Sequence, residues 1–127
     1  MKMKIRNGLP FVELVIAHKG MERTISNVLI DTGSAATLLS AEIAAEVGLE
    51  PELMDMIRTM RGIGGEEYVY EKKVDHVRMG ESSLPGFTIQ IGAMDYGFDM
   101  YGIIGADFLL SVGAVIDMKR HEIRVSG

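Results

Sequence analysis

Val28-Leu29-Ile30-Asp31-Thr32-Gly33-Ser34 is the stretch on which the reading of this chain turns. Three consecutive large apolar residues lead into a carboxylate, and a small, turn-prone trio follows it. A strand that is apolar at successive positions is expected to be buried on both faces, so Asp31 should emerge from its end into a partly desolvated setting. Two readings of the tripeptide Asp31-Thr32-Gly33 stand side by side. One is a catalytic carboxylate; the other is a strand-ending Asp that caps a turn through its own side chain, which is the commoner fate of an isolated D-T-G.

Some seventy residues downstream, Gly102-Ile103-Ile104-Gly105-Ala106-Asp107-Phe108-Leu109 runs two apolar residues and a glycine into a short helix. Between the two stretches lies the glycine-rich Met60-Arg61-Gly62-Ile63-Gly64-Gly65. In order and separation these three features resemble the retropepsin-like, retroviral-type aspartic proteases. Subunits of that family carry a D-T-G-S/A loop, a glycine-rich flap tip and a later apolar-apolar-Gly segment that packs beside the loop. The resemblance extends from Phe11 to Met118. It implies a mainly β, single-domain acid protease fold over residues 1–127, built as a closed or strongly bent β-barrel with one or two short helices. It also implies a two-fold homodimer, a flap at about residues 60–67 and terminal strands at about residues 114–125.

Carried over position by position, the resemblance makes Asp31 the catalytic carboxylate and gives Thr32 reciprocal hydrogen bonds that lock two loops across a dimer. Gly33 would admit the substrate backbone, and Ser34 would hydrogen-bond the outer carboxylate oxygen. Ile103, Ile104 and Gly105 would pack behind the loop, and Gly62, Ile63, Gly64 and Gly65 would form the substrate-covering flap. The residue types suit these roles, because hydroxyls donate to carboxylates and glycine tolerates crowded backbone.

Aspartic proteolysis needs two neighbouring carboxylates that share one proton, and the chain has one D-T-G. Asp55, Asp75, Asp95 and Asp99 lack the Thr-Gly context, Asp107 falls in the expected helix and Asp117 in a terminal strand. A symmetric homodimer would supply the second Asp31 without a second motif. The implied activity is therefore hydrolysis of an extended peptide, or protein substrate, by water activated between two Asp31 carboxylates, with no cofactor and no metal. Two other readings compete: a retropepsin-like peptide-binding or dimerisation module without turnover, and a monomeric ligand-binding β-barrel in which Asp31 caps a turn. The chain also departs from the retroviral pattern. Ala35 and Ala106 stand where a carboxylate and an Arg usually pair, Glu66 and Glu67 follow the flap glycines, and a second terminal strand follows Val115–Met118.

Local patterns fit a strand-rich chain. Apolar runs at Phe11–Ile16 and Ile25–Ile30 flank Lys19-Gly20 as a hairpin. Ser40 is a good N-cap for a two-turn helix over Ala41–Val47, closed by Gly48. Strands are expected within Glu67–Met79, around Phe87–Ile91, and as a terminal hairpin of Val115–Met118 with Glu122–Val125; a short helical turn should begin near Ala106.

Composition bounds the function. At 127 residues one core is expected, and 15 glycines exceed the usual ~7% and call for many turns. A net charge of −5 with scattered basic residues argues against nucleic acid. Zero cysteines exclude a thiol nucleophile and a disulfide framework. His18, His76 and His121 lack metal-ligand spacing, and Gly62-x-Gly64 lacks the rest of a nucleotide-binding loop. Ten methionines read first as core filling, and Met54, Met56, Met60, Met94 and Met100 as lining for an adaptable apolar groove. Lys2, Lys4 and Arg6 precede no signal-like apolar run and no segment reaches ~20 apolar residues, so a cytoplasmic location away from membranes is expected.

Overall fold

The computed structural model describes residues 1–62, 65–94 and 99–125. In chain order the elements are β1 (Lys4–Arg6), β2 (Leu9–His18), β3 (Met21–Ile30), β4 (Leu38–Ser40), α1 (Ala41–Glu46), β5 (Met56–Gly62) and β6 (Gly65–Lys73). They continue as β7 (His76–Met79), β8 (Ser82–Pro85), β9 (Thr88–Gly92), β10 (Gly102–Ile104), α2 (Ala106–Ser111), β11 (Ala114–Asp117) and β12 (Glu122–Val125). Among the described residues no helix is long and apolar enough to cross a membrane.

The β2–β3 hairpin forms where the sequence signals it. Lys19 and Gly20 both take positive φ (51° and 79°), the pair of left-handed residues that a two-residue turn needs to match the strand twist. Further along, the register slips between Val12 and Leu14, where β3 carries one extra residue. Asn27 sits in that bulge at φ 55°, and its side-chain oxygen accepts a hydrogen bond from Arg6 Nη1. α1 starts on Ser40, whose Oγ accepts from Ile43 N, and ends one residue before the expected Val47.

Ten strands make one sheet in the order β5-β6-β9-β4-β10-β3-β2-β7-β8, with β1 on β2; β11 and β12 form a separate two-stranded sheet. The expected closed barrel is not what forms. The path has two open ends, at β5 and β8, and β8 terminates on Pro85, which has no N–H to offer a further ladder. The region Glu67–Met79 is divided between β6 and β7, because Asp75 leaves the ladder to accept from Gly20 N through its carboxylate while its own N–H donates to Ala17 O.

At the centre, β10 lies parallel to β3 and antiparallel to β4. Alternate residues of these strands feed different cores. Val28, Ile30, Leu39, Ile91 and Ile104 pack with Phe108 of α2 in the larger one, while Leu29, Leu38 and Ile103 pack with Phe11 and Val69 in the smaller. Burial on both faces is the physical reason that Val28-Leu29-Ile30 is apolar without alternation.

Lys72 is buried, with its ammonium 2.8 Å from Glu52 Oε1 and 3.0 Å from Asp55 Oδ2, and so clasps the loop after α1 to the sheet. Burial works against the charge, but the hydrogen bonds to Glu52 and Asp55 outweigh it and hold the Lys72 pKa above its ordinary 10.5. A raised folded-state pKa stabilises fully below the unfolded value, and that contribution is lost as pH rises through the folded one. Thermal unfolding followed upward from about pH 9 is therefore expected to show a loss of stability beginning above about pH 10.4 that Lys72→Met lessens; an identical alkaline profile in the variant would remove the clasp from the account.

Candidate active site

Asp31 is the first residue beyond β3, half-buried, and its backbone N–H donates to Ile104 O at 3.0 Å. The parallel register Val28↔Gly102, Leu29↔Ile103, Ile30↔Ile104 thus delivers Asp31 beside Gly105. From there the chain turns sharply. Ser34 N donates to Asp31 O (3.1 Å), and Gly33 N donates to the carboxylate Oδ1 (3.0 Å), which fixes the direction of the side chain. Thr32 and Gly33 are exposed. The Ser34 hydroxyl donates to Ala36 O at 2.8 Å, so within one protomer its proton goes to the loop backbone and not to the Asp31 carboxylate.

The loop and the β10–α2 corner are tied by several bonds. Ala106 N donates to Ser34 O at 2.7 Å, and Gly105 N donates to Thr37 Oγ1 at 3.1 Å. Thr37, buried at 3% exposure, gives its hydroxyl proton to Asp107 Oδ1 (2.7 Å), while its own N–H reaches Asp107 Oδ2 (3.1 Å). Asp107 Oδ1 also accepts from Phe108 N at 2.8 Å, in the first turn of α2. The carboxylate thus joins Thr37, the residue before β4, to the start of α2, and the Thr37 hydroxyl carries the link on to Gly105.

No motif in the sequence marks Thr37 or Asp107 as part of the site. Their signal is indirect: with Ala35 and Ala106 in place of a charged pair, another polar link between the two segments is needed, and these two residues flank them. Thr37 Oγ1 is donor to one group and acceptor from another, which only a hydroxyl can be. Thr37→Val is expected to strand the Gly105 N–H and remove a donor from Asp107, at a cost of about 1–3 kcal/mol. Thr37→Ser should recover most of it. Urea midpoints of the two variants check this, and equal midpoints would dismiss the hydroxyl.

A row of paired residues leads away from the site on the face of the smaller core: Phe11, Leu29, Ile103, Leu38, Gln90 and Glu71, each opposite the next. Leu29, two residues before Asp31, belongs to it. Of the residues expected to form a flap, Gly62 and Gly65 are paired at the end of the β5–β6 ladder, while Ile63 and Gly64 lie outside the described residues. β6 stands four strands from β3 in the sheet order. Ile103 and Ile104 lie against Leu29 and Ile30, and Gly105 lies against the loop backbone. Among the described residues no group of three His, Cys, Asp or Glu side chains is disposed to hold a metal ion.

The family model described as gag-polyprotein putative aspartyl protease matches residues 20–111, from the β2–β3 turn to the end of α2. None of the curated proteins matches the chain.

Proposed function

Since the chain belongs to the gag-polyprotein putative aspartyl protease family, we propose that it is an aspartic endopeptidase whose working unit is a two-fold homodimer of one 127-residue domain. The observation that carries this reading is the setting of Asp31: a carboxylate at the mouth of a central strand, aimed by the Gly33 N–H and backed by the Gly105 corner. One protomer brings one such carboxylate, and the chemistry uses two.

In the dimer, a water between the Asp31 carboxylates attacks the scissile carbonyl carbon. One carboxylate takes a proton from that water while the other, protonated, gives its proton to the carbonyl oxygen, producing a gem-diol. Collapse breaks the C–N bond as a proton passes to the leaving nitrogen. Thr32, exposed beside Asp31, is assigned the bond between the two loops. Gly33 leaves room for the peptide backbone, and Ser34 turns to the carboxylate once the second loop is present. Ile103, Ile104 and Gly105 hold the loop from behind, and Gly62, Ile63, Gly64 and Gly65 cover an extended peptide.

The test is incubation of the purified protein with a mixed peptide library, read by mass spectrometry, with and without a hydroxyl-bearing statine-type peptide as competitor. Cleavage suppressed by the competitor supports the proposal. Binding of the competitor with no cleavage of any peptide across the acidic and neutral range would assign the chain to the non-hydrolysing, peptide-binding reading.

A further inference from the structure

The smaller core is built by strands that stand far apart in the sheet. β6 lies four strands from β3, yet Val69 of β6 packs in one cluster with Leu29 of β3, Leu38 of β4 and Ile103 of β10. The sheet therefore folds over on the face that carries Leu29, two residues before Asp31. Val69 also follows Gly65 along β6, so this face continues into the segment assigned to cover the peptide. A peptide held between Asp31 and that segment runs across it.

Along this face the row of cross-strand partners is apolar from Leu29 through Ile103 to Leu38, and then turns polar at Gln90 and Glu71. Residues directly opposite each other in a ladder share a face, so both polar side chains stand on the same side of the sheet as Leu38. Gln90 Nε2 donates to Glu71 Oε2 at 3.3 Å. Its Oε1 is buried and has no donor among the described residues. Turning the amide over gives no remedy, because it would aim the oxygen at a carboxylate and strand the NH₂ group instead. A buried acceptor without a donor is uncommon and calls for a partner that arrives from outside. The neighbouring carboxylate sets the chemistry of that partner: two acceptors, one of them an anion, suit a donor that carries positive charge.

We propose that Glu71 and Gln90 determine specificity by receiving a lysine or arginine side chain of the peptide substrate. This rests on the peptidase reading of Asp31 and names its substrate class, extended peptides with a basic residue set back from the scissile bond. Neighbouring strands are about 4.8 Å apart, so the three steps from β3 to β9 put Gln90 roughly 14 Å from Leu29 on a flat sheet and nearer on a folded one. An extended peptide covers about 3.3 Å per residue and the basic side chain adds its own length, which places the selected residue within about three positions of the scissile bond. There its cation donates one N–H to Glu71 and another to Gln90 Oε1. A norleucine side chain fills the same space, offers neither bond and leaves the buried oxygen without a donor.

The test takes one peptide that the wild-type protein cleaves and places lysine or norleucine in turn at the positions flanking the scissile bond. At one or more of them kcat/KM is expected to be about 10-fold or more higher for lysine, the margin that a hydrogen bond to a charged group ordinarily supplies. Gln90→Leu, which continues the apolar row, and Glu71→Gln, which keeps the shape and removes the charge, should each bring that ratio toward 1. Both rates are read on one preparation, so partial misfolding of a variant lowers them together and leaves the ratio intact. Wild-type cleavage without a preference for lysine, or a preference that survives both substitutions, would overturn the pair as a specificity determinant, assign the Gln90 oxygen to solvent and leave the peptidase reading standing. If no peptide is cleaved, the peptidase reading falls, and fluorescence anisotropy with labelled statine-type peptides carrying lysine or norleucine decides the pair by itself. Tighter binding of the lysine peptide that both substitutions abolish upholds it, and equal or absent binding overturns it.

Discussion

Asp31→Asn is expected to lower kcat by about 10²–10⁴-fold or more, the span ordinarily lost with a general acid–base group, while the fold remains intact. The amide oxygen can still accept the Gly33 N–H that now reaches Oδ1 at 3.0 Å, and the backbone bond from Asp31 N to Ile104 O does not involve the side chain. The loop therefore keeps its course. What disappears is the exchangeable proton, and in a dimer it disappears from both halves of the pair at once. Two facing amides can still hydrogen-bond to each other, so the variant should keep the wild type's state of association. Peptide cleavage and sedimentation equilibrium on the same preparations read both quantities. Cleavage by the variant at the wild-type rate would show that another group performs the reaction.

Such a prediction could be framed from sequence because the site lies where a local pattern and a distant one coincide. Val28-Leu29-Ile30 announces a strand buried on both faces, and the two cores explain it residue by residue. Lys19-Gly20 announces its turn by composition, as does Ser40 its helix. β10 is different. At three residues it is too short for periodicity to reveal, and its parallel partner β3 lies more than seventy residues earlier; only the motif resemblance brings Ile104 and Gly105 to Asp31.

Other features escaped for reasons of the same kind. β4 is a three-residue strand that ends in the N-cap serine of the helix after it, so two signals occupy one stretch. β1 and β8, at three and four residues, are too short for a period of two to show, although each pairs with a strand adjacent in the sequence, β2 and β7. Whether a bent sheet closes depends on whether its two end strands meet, and no single strand encodes that. The Thr37–Asp107 link was hidden because each residue has an ordinary local explanation, a threonine in a strand approach and an acidic residue in the first turn of a helix. Their pairing exists only through the β4–β10–α2 arrangement.

Gly105 bears the most severe steric constraint among the described glycines, and Gly105→Ala is expected to cost about 3–5 kcal/mol, at the upper end of single-substitution effects. A methyl at this position would stand 2.3 Å from Ala36 O, 2.6 Å from Ala36 C and 2.8 Å from Ser34 O. These are backbone atoms and cannot rotate aside. The backbone of Gly105 itself is unexceptional, at φ −99° and ψ −177°, so the demand for glycine comes from close approach alone. Relief requires drawing residues 34–36 away from the β10–α2 corner, and that displacement stretches the bonds from Ala106 N to Ser34 O and from Gly105 N to Thr37 Oγ1 together. Each is worth about 1 kcal/mol net, and losing an acceptor for a buried N–H costs more than losing an average bond. Against a usual domain stability of 5–15 kcal/mol, the variant would unfold at much lower urea or fail to accumulate. Gly102→Ala supplies the contrast, since its nearest neighbour would be Leu38 O at 3.0 Å and its next contacts are side-chain carbons at 3.5 and 3.6 Å. Its urea midpoint should fall by much less. Gly33→Ala would meet only Asp31 Oδ1, at 3.4 Å, and should leave the midpoint nearly unchanged while crowding the carboxylate, so that cleavage drops without a loss of fold. An ordering in which Gly105→Ala is no worse than Gly33→Ala would mean that the loop and the corner are not held together as described, and Asp31 would lose the support on which its catalytic assignment depends.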